Sequence, residues 1–469
     1  MTTKQKLILT LLLGAQFTLS IDFSILNVAL PSIGRDLHVG PANLPWVATA
    51  FALPSAGFTL LFGRLGDLAG RRRLFLAGLA LLAAGSLAGG LAPSAGVLFA
   101  ARFAQGFAAA LAIPSALGLL TTSFPEGPLR ERALGLNGSL LAGGFTVGAL
   151  AGGILTDFFS WRWAFLINVP VALVIAVCAP AVIKESRLPR PSRLDLPGAG
   201  TVTAGLLLAV YGVTMARQDG WGSGHALGPL VAGAALLGAF YAIERRSQAP
   251  LVPVAVLARA TVKWGNLGGL TIFSMGSAVV YLMTLYLQEV LGYSPLVTGL
   301  AFAAPGVAAV AAGMIAPRFI SRAGSRATLV AGIALQGASF ATLLALGTNR
   351  AWLALVLAAL GIGFFGHVTG IVAYTVTATS GLPASEQGLA TGLATMTQLV
   401  ALTIGIPVIG AVAGGASLGG LHRGLLADVA VNAVFAAAIW AGLRPSSAGR
   451  AATSVPDLRP EEQPQHTPS

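Results

Sequence analysis

The sequence predicts an all-α polytopic membrane protein, on three observations. The chain has 469 residues, of which 55% are hydrophobic and 9% charged, with a mean hydropathy of +0.81. A soluble domain carries about 25% charged residues, so this chain holds more apolar surface than one core can hide. The apolar residues also arrive in segments of about 20, the length that crosses a hydrocarbon slab of about 30 Å. Finally, Lys and Arg gather in alternate connections, the pattern of helices threaded back and forth through a bilayer. Sixty glycines fit the same class, because small residues let helices approach closely in lipid.

Fourteen spans follow from length and punctuation. Six lie at roughly 7–30, 43–66, 72–92, 96–123, 133–156 and 162–183. Two follow at roughly 195–215 and 226–243, and six more at roughly 263–290, 295–318, 326–347, 352–378, 386–413 and 427–443. The first segment has Lys4 and Lys6 ahead of it, as a signal peptide would. Its run is too long, however, contains Asp22, and ends at Pro31 without a small-x-small cleavage site, so it reads as a retained helix. With a cytoplasmic N-terminus, roughly 22 Lys and Arg fall inside and about five outside (Arg35, Arg162, Arg217, Arg350 and Arg423). One span more or fewer would scramble that asymmetry, so both termini are expected in the cytoplasm. The net charge of +12 is thereby accounted for without a nucleic-acid partner. Cys178 is the only cysteine and sits inside a span, which excludes an intrachain disulfide.

The organisation predicted is a six-helix bundle over 1–186, two inserted helices and a cytoplasmic linker over 187–262, a second six-helix bundle over 263–443, and a disordered Pro-, Ser- and Glu-containing tail over 444–469. The bundles show an internal repeat. PRFISRAGSR, residues 317–326, lies on GRLGDLAGRR, residues 63–72, with Arg318 on Arg64, Gly324 on Gly70 and Arg326 on Arg72. Ser321 replaces Asp67 in the second copy. Each copy follows the second span of its block, as expected of a transporter built from parallel repeats.

Four stretches carry a family resemblance across nearly the whole chain: IDFSILNVALP (21–31) on span one, GRLGDLAGRR between spans two and three, LFAARFAQGFAAA (98–110) on span four and WRWAFLINVP (161–170) opening span six. Together they resemble the fourteen-span drug:proton antiporter branch of the major facilitator superfamily. Span five departs from that pattern: GFTVGALAGG (144–153) keeps the glycines but has Phe145 and Ala149 where the family usually has prolines. The resemblance implies the major facilitator fold in the plasma membrane, with alternating access and export of hydrophobic or amphipathic drugs against protons. It also implies a monomer with no cofactor, energised by the proton gradient.

Candidate residues follow. Asp22 lies about 12 Å below the end of span one and Arg102 about 10 Å into span four, at about 1.5 Å per residue. Charges so deep need a partner or a cavity, and the pair is the expected proton-coupling centre. His367 and Glu289 are further candidates for proton handling, since histidine titrates near neutrality. Gly63, Arg64, Gly66, Asp67, Gly70 and Arg71 form the expected gate, with topology anchoring as the plainer role of the arginines. Asn27, Gln105, Gln336 and Gln398 are in-span polar residues that would face substrate or bond between helices. Gly144, Gly148, Gly152 and Gly153 mark a helix-packing face.

Other classes fare worse. No GxxxxGK[ST] loop exists, and none of the four lysines follows a glycine, which removes an ATP-driven pump. No HExxH, Cys/His cluster or Ser/His/Asp arrangement suggests an enzyme. An importer or symporter of a small organic solute on the same fold is the main alternative, against which the span count and the span-one motif argue. A transporter-like sensor without flux also stays open.

Overall fold

In lipid every backbone N–H and C=O needs a partner within the protein, which leaves the helix as the way for each apolar segment to cross. The computed structural model describes residues 1–40, 43–124, 128–187, 195–247, 250, 254–380 and 384–443. Among them the helices are α1 (Thr3–Asp36), α2 (Trp46–Ala69), α3 (Arg71–Gly90), α4 (Ala95–Ser123), α5 (Pro128–Phe158) and α6 (Trp163–Val182). Next come α7 (Leu196–Asp219), α8 (Gly224–Glu244) and α9 (Ala260–Leu285), the last ending in a π-helical turn, Tyr286–Val290. The helix Pro295–Thr342 is two spans, α10 and α11, divided at Gly324, whose φ of 82° and ψ of 157° are not helical. α12 (Leu353–Thr379), α13 (Ala384–Ala413) and α14 (Leu418–Gly442) complete the chain. Gly324 and Gly70 (φ 115°) occupy the aligned positions of the repeat, and both reverse the chain where a side chain would be strained.

The spans match the expected segments in order and number. The last differs at its start: helix was expected from 427, whereas α14 begins at Leu418. Ser417 caps it, accepting from the Gly420 N–H at 3.2 Å. His422 and Arg423, in the second turn, find carbonyls of Leu346 and Ala413, so polar side chains are tolerated near the start of the helix. The consequence is that Asp428 lies ten residues inside the helix rather than at its mouth. The tail 444–469 lies outside the described residues.

α1–α6 and α9–α14 form two bundles, while α7 and α8 pair with each other and α7 rests on α2 and α13. Val177, Val231 and Val307 are 76%, 67% and 74% exposed, large apolar side chains that face lipid on the rim. With fourteen helices between them, the described ends of the chain, residues 1 and 443, lie on one face, here the terminal face. Toward the opposite face one apolar core is shared by both bundles, with Ile25, Leu30 and Val47 in the same cluster as Tyr281, Leu285 and Phe302. Toward the terminal face each bundle keeps its own, one around Leu12, Phe75 and Leu119 and the other around Ile272, Leu329 and Ile439.

Candidate functional site

Five helices of the first bundle converge on Asp22. Arg102 and Gln105 are three residues apart on α4, hence on one face. The Arg102 guanidinium donates through Nη1 to Asp22 Oδ2 at 2.7 Å. Asp22 Oδ1 accepts from Gln105 Nε2 at 3.1 Å and from Asn168 Nδ2, on α6, at 2.5 Å. Gln105 also accepts from Arg102 at 2.8 Å and donates to Ser86 Oγ on α3 at 2.8 Å. Arg102 Nε donates to the Val47 carbonyl on α2 at 3.0 Å, and the guanidinium carbon lies 4.4 Å from the Phe51 ring centre and 5.8 Å from that of Phe165. Asp22 is 0% exposed and Arg102 1%. Two charges removed from water need this kind of dense hydrogen bonding, because desolvation otherwise exceeds their attraction. The depth count had placed the two charges at one level; the structure joins them. Asn168 and Ser86 went unremarked in the sequence, as neutral partners of a buried carboxylate carry no spacing signal of their own.

The loop between α2 and α3 is docked by a residue from elsewhere in the chain. Glu185, just beyond α6, accepts from the Arg72 N–H at 2.9 Å and the Arg73 N–H at 3.3 Å. A carboxylate there satisfies unpaired donors at a helix N-terminus and complements its dipole. A Cβ on Gly70 would lie 2.7 Å from the Glu185 carboxyl carbon, so glycine is needed both for its backbone and for the space. Arg71 reaches the Gly118 carbonyl on α4 at 3.3 Å, and Arg72 the Ile183 carbonyl at 3.0 Å. Gly63 faces Pro114, and Gly66 faces Ser115 and the Arg71 stem. Arg64 is half-buried at the end of α2; the Asp67 side chain lies outside those described. In the second bundle Arg326, aligned with Arg72, donates to the Trp440 carbonyl and covers the Trp440 ring at 4.0 Å. Each arginine therefore ties its loop to the last helix of its own bundle.

The bundles meet at the opposite face. Arg35 pairs with Glu289 at 3.0 Å, and Gln288 donates to the Val28 carbonyl at 2.8 Å. Gly153 and Gly299 let α5 and α10 touch: a Cβ on Gly299 would stand 2.6 Å from the Ala149 carbonyl oxygen. Gly144, Gly148 and Gly152 instead seat α5 on α1, where added Cβ atoms would meet Ser20, Ile21 and Ile25 at 2.5–2.9 Å. A cavity of about 200 Å³ lies beside the Arg35–Glu289 pair, lined by Pro31, Leu44, Tyr281 and Leu285.

The second bundle holds its own buried polar chain. His367 Nδ1 lies 2.9 Å from Gln336 Oε1, Gln336 Nε2 donates to Asn432 Oδ1 at 3.3 Å, and Asn432 Nδ2 donates to Asp428 Oδ2 at 3.0 Å. Asp428 and Asn432 were not singled out in the sequence, because α14 was expected to start at their level. Gln105 and Gln336 are thus enclosed in side-chain networks and not presented to an open cavity. Asn27 donates to the Phe23 carbonyl of its own helix at 3.2 Å, and Gln398 is half-buried on α13.

Two six-helix bundles, with an acid and a base buried at mid-depth of the first, are the architecture of a polytopic membrane protein. A Major Facilitator Superfamily model matches residues 12–406, and the chain belongs to that family; it is a multi-pass membrane transporter and not an enzyme. It is 38% identical to the cephamycin export protein CmcT of Amycolatopsis lactamdurans, over 88% of this chain and 85% of that one. It is likewise 38% identical to the puromycin resistance protein pur8 of Streptomyces alboniger, over 87% and 82%. Among solved structures, the POT family transporter PepTSo superposes with a TM-score of 0.65 over 92% of this chain and 98% of that one, at 14% identity, a likeness of fold.

Proposed function

We propose that this protein exports hydrophobic or amphipathic antibiotics across the plasma membrane in exchange for protons, with both termini cytoplasmic and Asp22 as the proton-exchanging group. The observation that carries it is the sealed Asp22–Arg102 pair at mid-depth of the first bundle. The relatives named for cephamycin export and puromycin resistance support the cargo class, as does the scarcity of charge inside the spans, since a largely apolar pocket binds by area and shape.

The geometry suits a carboxylate that changes charge. When Asp22 takes a proton, Arg102 keeps the Val47 carbonyl, the Gln105 oxygen and the Phe51 face. The cation is not left bare, so neutralising Asp22 loosens α1 from α4 and α6 without collapsing the site. Opposite charge favours the ionised acid and burial the neutral one, and rocking of the bundles changes both. The terminal-face loop, docked by Glu185 and Arg71, holds α2, α4 and α6 together as that motion proceeds.

The test is reconstitution of the full chain in liposomes with an imposed pH gradient, using puromycin as the probe. Wild-type protein should move puromycin against its gradient while protons run down theirs. Asp22→Asn should abolish gradient-driven movement while remaining folded. Normal gradient-driven export from that variant would remove Asp22 from the mechanism.

A further inference from the structure

We propose that Asp428 is a second proton-binding site, located in the second bundle and holding its proton in the conformation described. The site stands on its own geometry; only the use made of the proton rests on the exporter reading above.

The argument is one of unmatched charge. Asp428 is 0% exposed and about 15 Å along α14 from its first residue, at about 1.5 Å per residue. Its Oδ2 accepts one bond, from Asn432. Its Oδ1 is buried and has no hydrogen-bond partner among the described residues. Among the described residues no Lys or Arg forms an ion pair with it. On its own helix His422 and Arg423 lie five or six residues toward the opposite face and bond the Leu346 and Ala413 carbonyls. On α9, Lys263 lies over the Trp264 ring near the terminal face, while the Tyr286 hydroxyl of the π-helical turn donates to the Gly347 carbonyl. On α11, Arg326 is held at Trp440. The described side chains of α13 include no titratable group. From α12 the group that connects to Asp428 is His367, through two amides. An ionised carboxylate with a single amide donor and no counter-ion is far costlier in such a place than a neutral acid. Asp22, with a guanidinium and two amides, is the internal contrast.

The chain from His367 has a direction. With a proton on His367 Nδ1, each link donates toward Asp428: histidine to Gln336 Oε1, Gln336 to Asn432 Oδ1, Asn432 to Asp428 Oδ2. Without that proton the two amides turn over, and Asn432 offers Asp428 an acceptor that a protonated acid satisfies. His367 is thus a positioning residue that sets how firmly Asp428 holds its proton. The step itself is simple: Oδ1 gains a proton from solvent water in one conformation and returns it to solvent in another, and no other bond changes.

Infrared titration of the full-length protein in liposomes tests this without any cargo. Wild-type protein should show the carbonyl band of a neutral carboxylic acid at neutral pH, lost on alkaline titration. Asp428→Asn should remove that band, Asp428→Glu should restore it at a shifted frequency, and Asp22→Asn should leave it. His367→Gln should move its midpoint by the equivalent of about a tenfold change in proton affinity, or about 1.4 kcal/mol. In the same vesicles Asp428→Asn should lower the number of protons taken up per puromycin exported. A wild-type protein without the band, or a band and ratio unchanged in Asp428→Asn, would overturn the proposal. If Asp428→Asn fails to assemble, the wild-type band and its shift in Asp428→Glu decide. Normal export by Asp22→Asn with this band intact would sink the coupling role of Asp22 and leave Asp428 standing.

Discussion

Among the described residues the two bundles bury one carboxylate each and treat it in opposite ways. In the first, Asp22 is saturated: a guanidinium and two amides fill its acceptors, and the guanidinium has further support from Val47, Gln105 and Phe51. In the second, Asp428 has one amide, and its link to a titratable group runs through Asn432 and Gln336 to His367. A repeat that keeps its loop glycine and its loop arginine in both copies has thus diverged most where charge is buried. The lesson is that the fold tolerates a mid-depth acid whether or not it brings a cation, provided the acid's charge state suits the donors around it.

The largest effect expected is from breaking the saturated site. Arg102→Leu leaves an uncompensated carboxylate and should cost about 3–5 kcal/mol of stability, read as a drop in thermal unfolding of the purified protein by tryptophan fluorescence. Adding Asp22→Asn should recover much of it. Gln336→Leu in the second bundle removes no charge and should cost about 1–3 kcal/mol, the penalty of two buried groups left unpaired. If the two single variants were equally damaging, the distinction between a charged and a neutral cluster would be wrong.

The next effect tests the loops. Gly70 and Gly324 both hold positive φ, so alanine strains either by about 1–2 kcal/mol. At Gly70 the new Cβ would also strike the Glu185 carboxyl, whereas at Gly324 nothing lies within 4 Å. Gly70→Ala should therefore destabilise the protein and slow transport more than Gly324→Ala. Equal losses would mean that Glu185 does not dock the first loop.

How much of this was legible beforehand depends on where the partners lie. The spans were readable because lipid forces length and apolarity on every crossing. The Asp22–Arg102 pair was readable because two charges in apolar runs, counted from their helix ends, fell at one depth. Glu185 was not, since it lies 113 positions from the Arg72 amide it caps and nothing local marks it. Asp428 was hidden by a boundary: His422 and Arg423 looked like loop, and a helix begun after them puts the acid at its mouth, where it needs no explanation. Ser417 was the cap signal that extends α14 to Leu418, but Gly419, Gly420 and Gly424 behind it masked the helix. Neutral amides such as Asn168 and Asn432 acquire a role only once the acids beside them are placed.

The smallest effect lies where the bundles meet. Arg35 and Glu289 pair at 3.0 Å, but their side chains are 61% and 39% exposed, and an exposed pair contributes about 1 kcal/mol or less. Glu289→Gln should leave the unfolding temperature nearly unchanged. On the proposed rocking of the bundles its consequence should be kinetic, because the pair joins α1 to the turn after α9 at the opposite face and weakening it eases their separation there. Gln288, next to Glu289 in sequence and buried, would still hold the Val28 carbonyl, so the bias is modest. Raising the salt concentration should shrink the difference between Glu289→Gln and wild type in puromycin transport, as screening weakens the exposed pair. The same salt series should leave the cost of Arg102→Leu untouched, since that site is sealed from solvent. A salt-sensitive Arg102→Leu, or a salt-insensitive Glu289→Gln, would show that burial does not separate the two ion pairs as the structure draws them.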